Sequence, residues 1–159
     1  MKLLTTRICM YSDVGVHGSL FGGTILAWLG EAGTAFACEH CGSPRMVTKR
    51  ISEVVFERSV KPGAIIQIYG KLVSVGTTSL SVHIEAHSRD PEADREELVC
   101  KLETVFVHVD GQGEPCALRW TAHKHGALAR RVALVAPGPV STFRAARIHP
   151  APDSSATAS

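Results

Sequence analysis

The chain has 159 residues, a formal net charge of +2 at pH 7 and charged side chains at 20% of its positions. This length fits one domain with a single core, and the balanced charge excludes the dense basic surface of a nucleic-acid-binding protein. The N-terminal stretch MKLLTTRICMYSD is too short and too soon polar for a signal peptide, and five irregularly spaced cysteines fit reduced thiols better than a disulfide framework. We therefore expect a cytoplasmic protein with neither a membrane nor a nucleic acid as partner.

The first predicted elements are a strand over residues 2–11 and a long helix. A turn-rich link over residues 12–18 joins them. The helix ends at Gly42, because a glycine followed by Ser-Pro is a strong C-terminal signal. Its side chains are apolar nearly all round, which is typical of a buried helix. A helix buried on every side would place Glu31, near its middle, in the core, where a carboxylate needs a partner, a raised pKa or a function.

Extended segments follow at residues 46–60, 64–75, 79–86 and 98–109, and they can form a meander. The third of them alternates cleanly between apolar and polar residues, as a half-buried strand does. A curved antiparallel sheet wrapped around the helix buries both apolar surfaces, which predicts an α+β fold. Residues 1–118 would form this domain. Residues 119–146 would be an appended segment that can form a short surface helix, and residues 147–159 a disordered tail.

The stretch HGSLFGGTILAWLGEA at residues 17–32 resembles the hotdog-fold acyl-CoA thioesterases, supported by VGTTS at 75–79 and more weakly by FVHVDGQGEP at 106–115. The resemblance covers about residues 1–118. It implies a hotdog fold and hydrolysis of an acyl-CoA to free CoA and a carboxylic acid, with no cofactor besides the CoA of the substrate. It also implies that protomers pair edge to edge into at least a homodimer, that each site is shared between two subunits, and that three dimers often form a hexamer.

Thioester hydrolysis needs donors for the developing oxyanion and a group that activates water. Glycines at a helix N-terminus leave N–H groups free at the positive end of the helix dipole, so Gly22 and Gly23 are candidates for polarising the carbonyl. Glu31 is the candidate general base or nucleophile, and His17 could bond the thioester or orient water. The structural alternatives are a hydrogen-bonded carboxylate at Glu31 and a loop-capping imidazole at His17.

The predicted CoA contacts are hydroxyls and an aromatic side chain close to the two motifs. Basic side chains that could meet the CoA phosphates are Arg58, Lys71 and Arg89. The acyl chain could lie against Trp28, Leu29 and Phe36, which are equally good core residues. The predicted CoA-binding residues are Phe21, Thr34, Thr77, Thr78 and Ser79.

The chain departs from the family pattern at two positions. The family commonly has an aspartate seven residues after the second glycine of FGG, where this chain has Gly30, and many relatives have an asparagine where it has Gly15. The stretch GEAGT at 30–34 also resembles a branch that eliminates ammonia from β-aminoacyl-CoA. A CoA-dependent lyase or hydratase is therefore one alternative, and a non-catalytic acyl-CoA-binding module is another.

No metal is expected. The CEHC stretch at 38–41 resembles half a zinc site, but the sequence has no matching second pair. His83, Glu85 and His87 fall on one strand face, and a solvated or inter-dimer sheet face explains them better than a metal site does.

Overall fold

A computed structural model of the chain describes residues 1–90 and 95–119. One long helix, α1 (Gly22–Cys41), packs against a five-stranded antiparallel sheet in these residues, which confirms the predicted α+β class. A short 3-10 turn (Tyr11–Asp13) precedes α1. The strands are β1 (Lys2–Ile8), β2 (Met46–Phe56), β3 (Ile65–Val75), β4 (Ser79–Asp90) and β5 (Arg95–His108).

The strand order across the sheet is β1-β3-β4-β5-β2. Strands β3, β4 and β5 form a meander, as predicted, but the expectation that β2 begins it is wrong. Strand β2 pairs with β5, from Met46 opposite His108 to Phe56 opposite Cys100. The reason is the helix: α1 crosses the sheet face between β1 and β2, so the chain leaves one sheet edge and returns at the other.

The core lies between α1 and the concave face of the sheet. The predicted alternation of β4 is confirmed, since Leu80, Val82, Ile84 and Ala86 are at most 1% exposed and face the helix. The close approach of helix and sheet depends on Gly33, where a Cβ would run into the side chain of Ile84. The helix contributes Ile25, Leu29, Ala32, Phe36, Ala37 and Cys41 to this core.

The helix ends where the sequence predicts. Gly42 adopts the left-handed conformation with φ of +64° and donates its N–H to the carbonyl of Cys38, a conformation that glycine adopts without steric cost. The expectation that α1 is buried all round is wrong for the single chain. One stripe of the helix faces away from the sheet and is exposed. Its members are mostly small residues, which count as apolar in the sequence whether or not they are buried. This stripe consists of Gly23, Ala27, Glu31, Ala35 and Glu39.

The appended segment 119–146 and the tail 147–159 lie outside the described residues, except for Arg119. The tip of the β4–β5 hairpin, residues 91–94, lies outside them as well. Among the residues that are described, no helix combines the length and the apolarity that crossing a bilayer requires.

Candidate functional site

The start of α1 presents two free backbone donors. Phe21 occupies the N-cap position, and its carbonyl accepts hydrogen bonds from the N–H groups of Thr24 (3.0 Å) and Ile25 (3.2 Å). Within residues 1–90 and 95–119, no group accepts a hydrogen bond from the N–H of Gly22 or Gly23. These N–H groups point out of the helix at its positive end, which is the arrangement that binds an oxyanion.

Aromatic rings flank these donors. A Cβ at Gly23 would lie 2.6 Å from the ring of Phe21, so this ring folds over the helix start and would have to move if a side chain replaced Gly23. A Cβ at Gly22 would lie 3.5 Å from the ring of Phe56, at the end of β2. Phe21 and Phe56 are 59% and 51% exposed, so the helix N-terminus opens into an apolar surface at the sheet edge.

His17 is exposed in the loop that leads into α1. The loop is held by a bridge between Val14 and Leu20 and by the N–H of Gly15, which donates to the carbonyl of Ser19. Gly18 closes the turn with φ of +64°. The loop is therefore held by backbone hydrogen bonds, and His17 is exposed in it, four residues before the N-cap Phe21.

The turn that joins β3 to β4 lies at the opposite end of the molecule. The carbonyl of Thr78 accepts from the N–H of His108, and the Nε2 atom of His108 lies 3.0 Å from the hydroxyl of Ser43, just after the helix ends. Residues 77–79 therefore flank the C-terminus of a helix that is about 30 Å long. A single chain does not bring them to Gly22 and Gly23.

Glu31 does not lie in the core. Its Oε2 atom is 2.6 Å from a guanidinium nitrogen of Arg7 on β1, and the two side chains are 68% and 40% exposed. The rise of eight residues from Gly23 to Glu31 is about 12 Å along the axis, so the carboxylate stands well below the free donors of its own helix. Gly30 precedes it, and a Cβ there would meet open space.

A groove of about 310 Å³ opens between β1 and α1, with the Arg7–Glu31 pair at its rim. Trp28 and Phe36 line it, and the guanidinium of Arg7 lies 5.9 Å from the ring of Trp28. Leu29 is fully buried and belongs to the core instead. Arg7 was not predicted as part of the site, because no local sequence pattern connects a strand residue with a helix residue so far along the chain.

The hydroxyl of Thr34 is occupied within the helix, since it donates to the carbonyl of Gly30 at 2.8 Å. The Nδ1–H of His40 likewise donates to the carbonyl of Phe36 at 2.8 Å, and Cys41 is fully buried. In the CEHC stretch, His40 and Cys41 therefore serve the packing of the helix end.

His83, Glu85 and His87 share the outer sheet face, as predicted. The Oε1 and Oε2 atoms of Glu85 accept from the Nε2 atoms of His83 (2.9 Å) and His87 (2.8 Å), and the Nδ1 of His87 lies 3.0 Å from Glu96. Burial acts to raise the pKa of Glu85, but the hydrogen bonds and charges of the two histidines outweigh it and lower the pKa. Within the described ranges, no cluster of three or more potential ligands could hold a metal ion.

Comparison with known proteins identifies the family of this chain. Residues 17–94 match the model of the thioesterase superfamily. The acyl-CoA thioester hydrolase YciA of Escherichia coli (strain K12) is 30% identical over 120 residues, which cover 73% of this chain and 89% of that protein. This chain belongs to the thioesterase superfamily. Its fold is the hotdog fold, and its relatives are acyl-CoA thioesterases.

Solved structures of thioesterases superimpose on the fold. A hexameric hotdog fold thioesterase of Campylobacter jejuni is 30% identical with a TM-score of 0.69, and the alignment covers 84% of this chain and 98% of that one. An acyl-CoA hydrolase of Staphylococcus aureus, in complex with butyryl coenzyme A, coenzyme A and coenzyme A disulfide, is 25% identical with a TM-score of 0.68 and coverages of 81% and 82%. The resemblance to hotdog thioesterases is therefore confirmed across the domain.

Proposed function

We propose that this protein hydrolyses the thioester bond of an acyl-CoA. The observation that carries the proposal is the pair of free N–H groups at Gly22 and Gly23, at the start of a helix in a thioesterase fold. They can donate to the carbonyl oxygen of the thioester and to the oxyanion that replaces it. Water adds to the carbonyl carbon, the carbon–sulfur bond breaks, and the CoA thiolate leaves and takes up a proton.

The site is proposed to be shared between two protomers. Strand β2 is an edge of the sheet, and antiparallel pairing with β2 of a second copy would place the helix start of one protomer beside the helix end of the other. Residues 77–79 of that second copy would then approach Gly22 and Gly23, although they are remote within one chain. The hexameric relative of Campylobacter jejuni supports an assembly of three such dimers.

Glu31 is proposed as the base. Besides Glu39 near the helix end, it is the only carboxylate of α1. Glu31 lies on the β1 side of α1, whereas the shared site is proposed at the β2 edge, so to act it must leave Arg7 and turn toward the other side of the helix. His17 beside the helix start would orient the water, and the exposed ring of Phe21 with Thr77, Thr78 and Ser79 would contact CoA. The Thr34 hydroxyl could do so only after leaving the carbonyl of Gly30.

A second candidate is an acyl-CoA-binding protein without turnover. The specific observation in its favour is the ion pair of Glu31 with Arg7, next to a glycine at the position where the family carries an aspartate. The binding donors at Gly22 and Gly23 would remain, while the base would be absent. This protein would bind acyl-CoA and release no thiol.

A cytoplasmic location is proposed on the state of the cysteines. All five, Cys9, Cys38, Cys41, Cys100 and Cys116, are free thiols. Free thiols are typical of a reducing compartment.

Thiol release from short, medium, long and aromatic acyl-CoAs tests the function. Hydrolysis predicts one equivalent of free thiol for each carboxylic acid formed. Binding measured by calorimetry without thiol release would instead support the second candidate. A change in enoyl absorbance without thiol release would indicate a lyase and contradict both.

A further inference from the structure

A cysteine and a histidine lie in contact at the end of β5, away from the helix start. The Sγ atom of Cys116 is 3.2 Å from the Nδ1 atom of His108. His108 is only 4% exposed, whereas Cys116 is partly accessible. The pair thus combines a buried imidazole with a thiol that solvent can reach.

The hydrogen bonds of His108 fix which nitrogen carries the proton. Its Nδ1 lies 2.8 Å from the carbonyl of Ala117, which can only accept, so Nδ1 is protonated. The hydroxyl of Ser43 accepts from the N–H of Arg45 and has its own hydrogen free for Nε2, 3.0 Å away. The Nδ1–H is therefore shared between the carbonyl and the sulfur, and the sulfur accepts.

The other cysteines lack this arrangement. Cys9, Cys41 and Cys100 are at most 1% exposed, and burial raises the pKa of the Cys100 thiol to about 11. Cys38 is partly accessible like Cys116, but no histidine in the part of the chain that the structure describes forms a hydrogen bond with its sulfur. Cys38 is therefore a matched control for exposure.

We propose that Cys116 is a modification site, a reactive thiol that exchanges with small-molecule disulfides, and that His108 is its positioning residue. The thiol gives its proton to solvent, and the thiolate attacks one sulfur of the disulfide. A new bond forms between Sγ and that sulfur, and the old disulfide bond breaks. The second sulfur leaves as a thiolate and takes up a proton, so the cysteine is oxidised and the leaving thiol reduced. The Nδ1–H of His108 stabilises the attacking thiolate.

An adduct at Cys116 would affect substrate binding because of where Cys116 lies, an inference that rests on the proposed function. The N–H of Leu118 donates to the carbonyl of Thr77, and the N–H of His108 donates to that of Thr78. Cys116 therefore belongs to a segment bonded to the turn that is proposed to contact CoA. A CoA moiety attached at Cys116 would occupy space beside this turn and weaken the binding of substrate.

The test incubates the full chain with CoA disulfide, the probe, and follows the adduct at each cysteine by peptide mass spectrometry. We expect Cys116 to react about 10-fold faster than Cys38 or more. Cys38→Ser should leave the main adduct in place, and Cys116→Ser should abolish it. Equal or faster reaction at Cys38 would overturn the proposal. The adduct is measured without turnover, so an inactive enzyme would not affect the result.

Two variants of His108 test its role. His108→Asn places an amide N–H near the position of Nδ1 and should keep the fast exchange, whereas His108→Gln should slow Cys116 to the rate of Cys38. Unchanged exchange in His108→Gln would contradict the positioning role. The buried thiols of Cys9 and Cys100 report folding, because they react only when the core opens. If Cys9 or Cys100 reacts in a variant, that variant has opened its core. The proposal is then tested by the rates of Cys116 and Cys38 in the unmodified chain.

Discussion

The guanidinium of Arg7 lies 2.6 Å from the carboxylate of Glu31 and ties the edge strand β1 to the outward face of α1. Both side chains are substantially exposed, so water screens the pair and it contributes about 0.2–1 kcal/mol to stability. The pair matters more for chemistry than for stability, because the cation of Arg7 holds the carboxylate that is proposed as the base.

Glu31→Gln tests the base. The change keeps the shape of the side chain and removes its ability to accept a proton, so turnover should fall by about 10²-fold or more with little change in substrate affinity. Stability measured by urea unfolding should fall by less than about 1 kcal/mol. Arg7→Gln is the matched control, since it breaks the same ion pair but leaves the carboxylate, and it should retain turnover. Turnover in Glu31→Gln equal to that of the unmodified chain would mean that Glu31 is structural.

Gly30→Asp restores a carboxylate at the position where the family resemblance expects one. A Cβ at Gly30 meets open space, so the fold should tolerate the change. We expect Gly30→Asp to recover thiol release in the Glu31→Gln background. Oligomeric state should be measured by light scattering in parallel, because a dissociated double variant would lose a shared site for another reason. An intact oligomer without recovered activity would count against a base at position 30.

Gly23→Ala should damage the helix start. The new methyl would lie 2.6 Å from the ring of Phe21, which must then move from the free N–H groups. Because Phe21 is 59% exposed, its ring can turn away, and we expect this displacement to offset most of the gain of about 0.5–1 kcal/mol that alanine brings to a helix, together with reduced thiol release. Gly30→Ala is the control with open space, and it should gain about 0.5–1 kcal/mol from helix propensity. Equal stability changes in the two variants would contradict the packing of Phe21 described above.

Glu85→Gln should weaken the fold at neutral pH and leave it unchanged in acid. The pKa of Glu85 is lowered in the folded chain, because the contacts with His83 and His87 outweigh burial. The charged carboxyl therefore stabilises the fold above its unfolded pKa, near 4.5, and this contribution disappears as the pH falls through the lowered value. We expect a loss of about 1–3 kcal/mol at pH 7 that vanishes in strong acid, measured by urea unfolding across pH. A loss independent of pH would exclude the ionised carboxyl as its cause.

Local signals in the sequence predicted the elements well. The glycine after Cys41 marks the helix end because it can adopt positive φ, and the alternation of β4 marks its buried face because side chains on a strand point to opposite sides. The position of β2 could not be predicted, since a strand that follows a crossover helix can pair at either edge. The open face of α1 was also hidden, because Ala27 and Ala35 are apolar whether they are buried or exposed.

The candidate site was predictable only in part. The glycine-rich start of α1 was found from the motif, and the structure places free donors there. The partner of Glu31 was not found, because Arg7 reaches it through the pairing of β1 with β3, a contact between distant parts of the chain. The separation of Gly23 from the turn at residues 77–79 depends on the direction of α1 across the sheet, which only three-dimensional structure reveals.

Hydrolysis of acyl-CoA by this protein is tested by measuring the release of CoA thiol from the unmodified full chain. The panel of short, medium, long and aromatic acyl-CoAs should be combined with calorimetric binding of the same compounds. We expect at least one acyl-CoA to give free thiol and carboxylic acid in equal amounts, and Gly23→Ala to lower the rate. Acyl-CoAs that bind the protein but yield no thiol above the buffer control would contradict hydrolysis.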